Sequence, residues 1–418
     1  MTEKPILQEK QPPISDVVIS GAGLVGGLLA LVLDRYGFKV TLIDQRDWFD
    51  ETAVSDGRAS AIAEDCWCCL ELLGLTSSLG SQQITGMRIG EAVVDHEETD
   101  FALNFDANAE VLLGHMVENE RLMTALNQAL KKTSQVQFLP KNRILSFRKT
   151  GSVVDCELAT GENLTTRLLA SAEGRGSVLR GLAGIKTQST DYDQAGLVCT
   201  VSHEFAHEGL AYQWFLPNGS FAVLPLPGNA THPHLSSIVW SEKRELAKVM
   251  MELDETEFTT QMQRRFGNRL GKLKLQGKRW SFPLAAGIAD CFAKDRFVLV
   301  GDAAHHVHPL AGQGLNLGIR DVAALAEVLV EARRLGLDFG DDLSLDNYQR
   351  RRRFDSALTL GLMDGLNRVF STSAGPARML TSVGLPSVNR LDSLKAFLIE
   401  KASGKSVNQP RLLQGLEI

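Results

Sequence analysis

The segment Gly21-Ala22-Gly23-Leu24-Val25-Gly26 decides how the chain begins to fold. It follows a short apolar run at 16–20, opens an apolar segment rich in small residues at 24–36, and precedes a second apolar run at 39–43. Short apolar runs bounded by turn residues predict buried strands, and the longer segment predicts a helix. The order strand, glycine turn, helix and strand predicts a βαβ unit in a parallel sheet.

Each glycine of this turn has its own physical reason. Gly21 permits the tight turn, Gly23 lets a pyrophosphate approach the backbone, and Gly26 permits close packing of the helix. The free amides and the dipole at the helix start favour phosphate charge. Asp44 ends the second strand, where its carboxylate can accept hydrogen bonds from a ribose diol and would repel a 2′-phosphate. The unit therefore predicts a dinucleotide site.

A second signature lies between residues 296 and 318. A predicted buried strand ends at Gly301-Asp302, which places the Asp302 carboxylate where it can bind a polyol such as a ribityl chain. Gly312 and Gly314 leave the backbone unhindered by side chains just before another predicted helix, at about 315–335. Amides at that helix start suit the N1–C2=O edge of a flavin, which becomes negative on reduction. We therefore predict that the dinucleotide is FAD.

The composition limits the classes of partner and membrane topology. The chain has 418 residues, 44% of them hydrophobic, and a formal net charge of -6. An acidic balance argues against nucleic acid as a partner, since binding phosphates in bulk needs clustered lysine and arginine. The sequence contains no run of about 20 apolar residues, the length that a membrane-spanning helix requires. We predict a cytoplasmic protein, or one that rests peripherally on the inner membrane.

Two groups of residues allow a metal-site interpretation. His305, His306 and His308 are close in sequence, but no carboxylate or thiol is arranged around them, so structural or pocket-lining roles are favoured over metal binding. Buried or idle thiols are likewise favoured over a CxC metal site for the six cysteines, which form no regular framework: Cys66, Cys68, Cys69, Cys156, Cys199 and Cys291. We predict no metal, with both alternatives left open.

The predicted domains are discontinuous along the chain. The fold class is α/β with an α+β insertion: a Rossmann-type FAD-binding domain, an inserted antiparallel-sheet substrate domain and C-terminal helices. Alternation of large apolar and polar residues at 186–284 predicts the antiparallel sheet. The predicted bounds are a disordered lead at 1–15, an FAD-binding domain at 16–80, 110–185 and 285–335, a substrate domain at 81–109 and 186–284, and a helical region at 336–418.

An ordered set of motifs carries a resemblance over about 14–403. The chain resembles the class A FAD-dependent aromatic hydroxylases of the para-hydroxybenzoate hydroxylase fold, in the branch of ubiquinone-biosynthesis hydroxylases. Few of the motifs are specific alone, but their order is. Besides the glycine turn and the block 301–321, they are Asp56-Gly57-Arg58-Ala59-Ser60-Ala61-Ile62, Val117-Glu118-Asn119, Ala172-Glu173-Gly174, Phe215-Leu216-Pro217-Asn218-Gly219, Leu224-Pro225-Leu226, Asp364-Gly365-Leu366-Asn367-Arg368-Val369-Phe370 and Gly384-Leu385.

The resemblance implies roles for individual residues. It makes Arg58 a flavin or pyrophosphate contact and Asn119 a neighbour of the dinucleotide. It makes Asp302 the ribityl partner and places Pro309 beside the flavin ring, where the substrate approaches. The backbone amides expected near the ring belong to Gly314, Leu315 and Asn316. No residue is predicted as the catalytic acid or base, although His305 and His308 have suitable chemistry.

The chain departs from the family pattern at two positions. Glu173 stands where the family usually has aspartate, in a motif tied to both the FAD pyrophosphate and NAD(P)H docking. Glutamate keeps the charge but adds a methylene, which bears on the use of nicotinamide. Ser220 stands where proline is common, a smaller change.

The resemblance also implies a reaction and its partners. We expect hydroxylation of the aromatic ring of a polyprenylated phenol in ubiquinone biosynthesis, with O2 as oxidant, a flavin C4a-hydroperoxide as intermediate and NAD(P)H as electron donor. Other quinone-biosynthesis proteins are further expected partners. Two alternatives are a hydroxylase of a soluble aromatic acid and a flavin-binding assembly subunit without turnover. A membrane-borne substrate predicts membrane contact, for which the basic run at 350–353 and the apolar face of 391–398 are candidates, against solvated charges and a packed helix.

Overall fold

A computed structural model describes residues 14–50, 57–91, 101, 103–107, 113–216, 219–308, 312–371 and 409–418. The helices within these ranges are α1 (Leu24–Arg35), α2 (Glu64–Leu72), α3 (Asn119–Leu130), α4 (Val178–Leu182), α5 (Arg244–Glu252), α6 (Glu255–Phe266), α7 (Gln313–Arg334) and α8 (Asp342–Ser371). The strands are β1 (Ser15–Ser20), β2 (Val40–Ile43), β3 (Ala59–Ile62), β4 (Gln82–Gln83), β5 (Gly86–Glu91), β6 (Leu103–Asp106), β7 (His115–Glu118), β8 (Val136–Leu139), β9 (Ile144–Thr150), β10 (Val153–Leu158), β11 (Asn163–Ser171), β12 (Thr187–Ser202), β13 (Leu210–Leu216), β14 (Gly219–Leu226), β15 (Leu235–Lys243), β16 (Lys274–Ala289), β17 (Ala293–Lys294), β18 (Phe297–Leu299) and β19 (His305–His306).

The first sheet is the parallel sheet that the glycine turn predicts. Its strand order is β17-β18-β11-β1-β2-β8, in which β18, β11, β1, β2 and β8 run parallel, and β9 and β10 extend it through β11. Val17, Val18 and Ile19 of β1 are fully buried because helices cover the sheet. Helix α1 packs against α3 and against the long helix α7. The predicted α/β fold class is confirmed.

The second sheet is antiparallel for most of its width. Its order is β19-β16-β12-β15-β14-β13-β5-β6, and the only parallel pair on that path within the described residues is β13 with β5. Strands β12 and β16 have 16 residues each and pair with one another along most of their length. Residues 86–91 and 103–106 thus contribute strands to the same sheet as 187–289, although they are distant in sequence.

Two helices in the second sheet's segment were not predicted. The interpretation of 186–284 as an antiparallel sheet was incomplete, because α5 and α6 interrupt it after β15. The segment is rich in charged residues and has few apolar ones. Phe258, Met262 and Phe266 nevertheless recur every four residues and are buried, so that one face of α6 packs against the sheet.

Residues 60–75 contain the end of a strand followed by a helix. Strand β3 pairs with β7, which also pairs with β4, and α2 begins only at Glu64. Cys66 and Cys69 of α2 lie in the hydrophobic core, where burial raises the pKa of both thiols. This environment matches buried, unreactive thiols.

The end of the chain returns to the first domain. After α8, residues 409–418 pack beside α2 and α7, and the side chains of Leu412 and Leu413 are buried in the core around the parallel sheet. The Tyr36 hydroxyl donates a hydrogen bond to Glu417 Oε2, and Glu417 also pairs with Arg35. The last ten residues therefore pack with the core around the parallel sheet, although the predicted bounds placed them in the helical region at 336–418. In the described parts of the chain, no helix combines the length and apolarity needed to cross a bilayer.

Candidate active site

One cavity of about 1200 Å³ runs from the glycine turn to the second sheet. We call it the main cavity. It brings together residues predicted from distant parts of the sequence. Those that line it are Gly21, Gly23, Asp44, Arg58, Asn119, Asp302, Gly312, Gly314 and Leu315. Gly26 and Asn316 lie directly behind this lining, and Pro309 lies outside the described residues.

The glycine turn begins at the end of β1, where the chain reverses into α1. Gly21 has φ +102°, and a Cβ atom there would overlap the carbonyl group of Ala172. A Cβ at Gly26 would overlap the carbonyl oxygen of Gly21, so that only glycine allows α1 to start so close to the strand. Gly23 is different, because no atom lies within 4 Å of a Cβ built on it. Its φ of -69° is open to any residue, so the protein itself does not require glycine here.

Asp44 holds the turn and the following loop together. Its Oδ2 accepts a hydrogen bond from the Ala22 amide at 2.7 Å, and its Oδ1 accepts one from the Arg46 amide at 2.7 Å. Asp44 lines the main cavity, and each of its carboxylate oxygens can accept a further hydrogen bond. A ribose diol is the group that such an acceptor recognises beside a glycine turn.

Arg58 and Asn119 reach the main cavity from the three-stranded sheet. Arg58 precedes β3, and its guanidinium lies 5.2 Å from the ring centroid of Phe282. Asn119 is the first residue of α3; its amide donates to the carbonyl of Arg58 at 3.0 Å, and its Oδ1 accepts from Ser60 Oγ at 2.7 Å. These contacts fix two polar side chains in the lining of the main cavity.

Asp302 follows the parallel strand β18 in a short 3-10 turn, Gly301–Ala303. Its side chain is open to the main cavity and otherwise surrounded by protein. This burial raises the pKa of the Asp302 carboxyl, an effect that His305 and Arg58 oppose. Among the described residues, none donates a hydrogen bond to this carboxylate. An unpaired acceptor just after the end of a parallel strand suits the hydroxyls of a polyol.

The N-terminus of α7 opens onto the same cavity. Gly312 precedes the helix in the left-handed conformation, with φ +61°, and a Cβ at Gly314 would make only an ordinary contact with the Val307 side chain, at 4.0 Å. The fully buried Asn316 side chain is used structurally: Oδ1 accepts from the Ala63 amide at 2.9 Å and Nδ2 donates to the Ala61 carbonyl at 2.8 Å. The free amides of the first turn and the dipole of this 22-residue helix favour negative charge in the cavity.

Glu173, the departure from the family pattern, is fully engaged within the protein. Ser20 Oγ donates to Oε1 at 2.7 Å. Oε2 accepts from Ser177 Oγ at 2.8 Å and from the Leu179 amide at 3.1 Å, at the start of α4. The longer side chain thus links β1 to the N-terminus of a short helix. Sequence reasoning missed this link, because nothing in the local pattern signals the contact with Ser20.

A buried charge network contacts the turn that follows β18. His305 Nε2 lies 2.7 Å from Asp321 Oδ2, which also accepts from the Gly301 amide at 2.8 Å, and Arg352 Nε donates to Asp321 Oδ1 at 2.6 Å. Burial alone would raise the pKa of the Asp321 carboxyl, but His305 and Arg352 outweigh it and hold that pKa below its ordinary value. His305 is therefore a partner of Asp321. Sequence reasoning missed this network, since Asp321 sits inside an ordinary helical pattern and Arg352 inside a basic run.

The other two histidines are buried without charge. Burial, together with the nearby Arg175 and Arg180, lowers the pKa of His306 to about 4, and burial lowers the pKa of His308 to about 4. His306 lines the main cavity, and His308 Nε2 contacts Gln194 Oε1 at 3.2 Å. Within the described residues, no three histidine, cysteine or acidic side chains are grouped so as to hold a metal ion.

The lowered pKa of His306 predicts a pH dependence of stability. Below about pH 6.5 the unfolded chain binds a proton at this histidine that the folded protein binds only near pH 4, so stability is lost as the pH falls through that window. We expect His306→Asn to lose less thermal stability than the wild type between neutral pH and about pH 5. Thermal unfolding at both pH values measures this. Equal losses in the two proteins would contradict the assignment.

The second sheet supplies the far side of the main cavity. Alternate side chains point to opposite sides of a strand. One set, including Leu197, Trp214, Phe221 and Trp240, packs against α5 and α6. We call the other set the cavity face. It contributes Ile89, Gly196, Val198, Ala211, Gln213, Phe215, Ala222, Leu224 and Val239. The main cavity thus extends from the residues predicted to bind the dinucleotide to a mostly apolar surface.

Comparison with known proteins agrees with this geometry. The FAD binding domain family model, FAD_binding_3, matches residues 15–358. The chain is 39% identical to the ubiquinone hydroxylase UbiL of Rhodospirillum rubrum, covering 97% of this chain and 94% of that protein. It is 33% identical to the 3-demethoxyubiquinol 3-hydroxylase of Escherichia coli, covering 93% and 98%.

A solved structure shows the same fold. The p-nitrophenol 4-monooxygenase PnpA of Pseudomonas putida DLL-E4 superposes with a TM-score of 0.75 at 19% identity, covering 95% of this chain and all of that chain. The turn at Gly23, the unpaired carboxylate of Asp302 and the start of α7 form a site that fits FAD. The chain belongs to the FAD binding domain family, in the group of the ubiquinone-biosynthesis hydroxylases, and is an FAD-dependent monooxygenase.

Proposed function

We propose that FAD lies along the main cavity, with its pyrophosphate at the turn of Gly21, Gly23 and Gly26. The open space at Gly23 and the nearby Arg58 and Asn119 support this placement. Asp44 then receives the adenosine ribose and Asp302 the ribityl chain. The flavin ring lies at the start of α7, where the amides around Gly312 to Asn316 stabilise negative charge. FAD, reduced by NADH or NADPH, supplies the oxygen-transfer chemistry, and the protein orients the substrate and excludes water.

We further propose that the substrate is the aromatic ring of a polyprenylated phenol in ubiquinone biosynthesis. The observation that carries this proposal is the cavity face, an apolar surface continuous with the flavin groove. Such a surface can bury an isoprenoid chain and hold the ring near the flavin. The names of the relatives from Rhodospirillum rubrum and Escherichia coli, a ubiquinone hydroxylase and a 3-demethoxyubiquinol 3-hydroxylase, support the same class of substrate.

The charges around the main cavity disfavour a soluble aromatic acid. Its lining cations, including Arg46 and Arg143, come from elements outside the second sheet. Arg58 and Arg175 approach that sheet at Phe282 and Pro283 of β16, outside the cavity face. Among the described residues of the second sheet that line the cavity, none is Asp, Glu, Lys or Arg. A buried carboxylate needs a paired charge, and the cavity face offers none, so a neutral phenol fits better.

The contacts of Glu173 also bear on the alternative of an assembly subunit without turnover. The extra methylene is accommodated within the link from Ser20 to α4, so it need not disturb the groove. We expect NADH or NADPH, mixed anaerobically with the FAD-loaded protein and a prenylated phenol, to bleach the flavin absorbance rapidly. No bleaching with either nucleotide would favour the assembly subunit.

Quinone intermediates in cells test the pathway. We expect a strain that lacks this gene to accumulate a prenylated phenol with one hydroxyl group too few, detected by mass spectrometry. The wild-type gene is expected to restore the normal profile, whereas a gene encoding a variant that cannot bind FAD is not. An unchanged quinone profile in the deletion strain would overturn the proposed function.

We also propose a membrane contact, on a smaller surface than the sequence indicated. Of the basic run, Arg352 is buried and Arg351 pairs with Glu327, while the candidate segment 391–398 lies outside the described residues. Helix α8 still exposes Phe354 by 75% and Leu343 by 76%. Arg350 lies one turn before Phe354 and pairs with Asp346, and Arg350, Arg353 and Phe354 line one surface pocket. An exposed aromatic ring beside cations suits an anionic lipid surface.

Vesicle flotation tests this surface. We expect the protein to float with phosphatidylglycerol vesicles at low salt, and Phe354→Asp to lower the vesicle affinity by about tenfold, because burial of one large apolar side chain contributes roughly 1.5–3 kcal/mol. Phe205→Asp, at a residue 57% exposed on another surface, is the control and is expected to float like the wild type. Equal flotation of all three proteins, or of none, would contradict the contact.

A further inference from the structure

Gln213 is an isolated polar side chain on the cavity face. It lies in the middle of β13, between Ala211 and Phe215 on the same side of the strand. Its partners across the neighbouring strands are Ile89 of β5 and Ala222 of β14. All four of these neighbours line the main cavity, and all four are apolar. The Gln213 amide is therefore surrounded by apolar cavity surface.

The amide nitrogen of Gln213 is buried and unsatisfied. The residue is 8% exposed, and Nε2 has no hydrogen-bond partner among the described residues. Other glutamines of the same sheet are paired: Gln276 Nε2 donates to Ser202 Oγ at 2.9 Å, and Gln194 Oε1 contacts His308. A buried unpaired donor costs stability, whereas leucine would fill this position without that cost. Its presence beside a ligand cavity indicates that a ligand supplies the missing partner.

We propose that the Gln213 amide donates a hydrogen bond to an oxygen substituent on the ring of the phenol substrate, and that this contact selects which ring carbon faces the flavin. The proposal rests on the proposed function, from which it takes the class of substrate. A primary amide both donates and accepts, so it can bind a hydroxyl or a methoxy oxygen. The apolar neighbours hold the rest of the ring and the isoprenoid chain. Gln213 is thus a specificity-determining residue and exchanges no proton or electron.

Binding measurements isolate the hydrogen bond. The FAD-loaded wild type is compared with Gln213→Leu and with the control Gln276→Leu, which makes the same change away from the main cavity. The probes are a phenol with a two-unit isoprenoid chain ortho to the hydroxyl and the matching benzene without the hydroxyl. Their dissociation constants are read from the change in flavin absorbance. We expect Gln213→Leu to weaken binding of the phenol about tenfold and that of the benzene less than about twofold. Gln276→Leu is expected to change neither.

Stability and product analysis separate this role from a structural one. We expect Gln213→Leu to unfold at the wild-type temperature or above it, while its turnover yields a changed ratio of hydroxylated isomers and more hydrogen peroxide per NAD(P)H consumed. An active wild type with an unchanged phenol affinity and isomer ratio in Gln213→Leu would overturn this inference alone. If the wild type neither binds nor hydroxylates the prenylated phenol, the proposed function fails and this inference with it.

Discussion

Replacing Gly23 with valine is expected to abolish FAD binding while the apoprotein still folds. The backbone at Gly23 is extended and allowed for any residue, and no protein atom lies within 4 Å of its Cβ position. The valine side chain would therefore occupy the space proposed for the pyrophosphate. Overpacking costs about 1–3 kcal/mol, and each lost hydrogen bond to a charged phosphate costs about 1.5–3 kcal/mol. Together they weaken FAD binding by at least about 100-fold.

Quenching of flavin fluorescence on titration of the apoprotein measures this affinity. Gly361→Val is the matched control, because Gly361 lies in α8, away from the main cavity, and also has open space at its Cβ position. We expect the control to bind FAD like the wild type, and both apoproteins to show the wild-type circular dichroism spectrum. FAD binding by Gly23→Val within about threefold of the wild type would contradict the placement of the pyrophosphate.

Replacing Asp321 with asparagine is expected to cause the largest loss of stability. The Asp321 carboxylate is fully buried and is the acceptor for His305, Arg352 and the Gly301 amide. Without its charge, the buried guanidinium of Arg352 keeps, within the described part of the chain, only the partly exposed Asp355 as an ionic partner. Removing one partner of a buried ion pair costs about 3–5 kcal/mol, far more than the pair contributes relative to an apolar replacement.

Urea unfolding of the apoprotein tests this expectation. Asp346→Asn is the control, since Asp346 pairs with Arg350 where the two side chains are 46% and 69% exposed, and its loss is expected to change the unfolding free energy by less than about 0.5 kcal/mol. Adding Arg352→Met to Asp321→Asn removes the unpaired cation and is expected to recover part of the stability. A loss in Asp321→Asn as small as in the control would show that the network is not a buried electrostatic support.

The features that could be predicted from the sequence are those that depend on residues close together in the chain. The glycine turn at 21–26, Asp44 and the run from Gly301 to α7 were recognisable because their chemistry depends on neighbours within about one turn or strand. The parallel sheet and the confirmed α/β class follow from these local units. Helices α5 and α6 were not predicted because their segment is rich in charged residues. The few apolar residues on one face of α6 are enough to pack it against the sheet.

The features that sequence reasoning missed depend on contacts between distant residues. Asp321 looks like one acid on an amphipathic helix, and only the fold brings Arg352 and His305 to it. Glu173 departs from the family pattern, and only the fold brings its carboxylate to Ser20 and to the start of α4. From the sequence, Gln213 is an ordinary polar residue of an alternating strand. The strand pattern alone does not show which face of the sheet is buried.

The most direct test is turnover of the purified FAD-loaded protein under ¹⁸O2 with NADPH or NADH and a short-chain prenylated phenol. The account predicts a product that is heavier by one oxygen atom, with that atom carrying the ¹⁸O label in the ring hydroxyl. Nicotinamide oxidation that yields only hydrogen peroxide, or a product without the label, would contradict the conclusion that this chain hydroxylates such a ring.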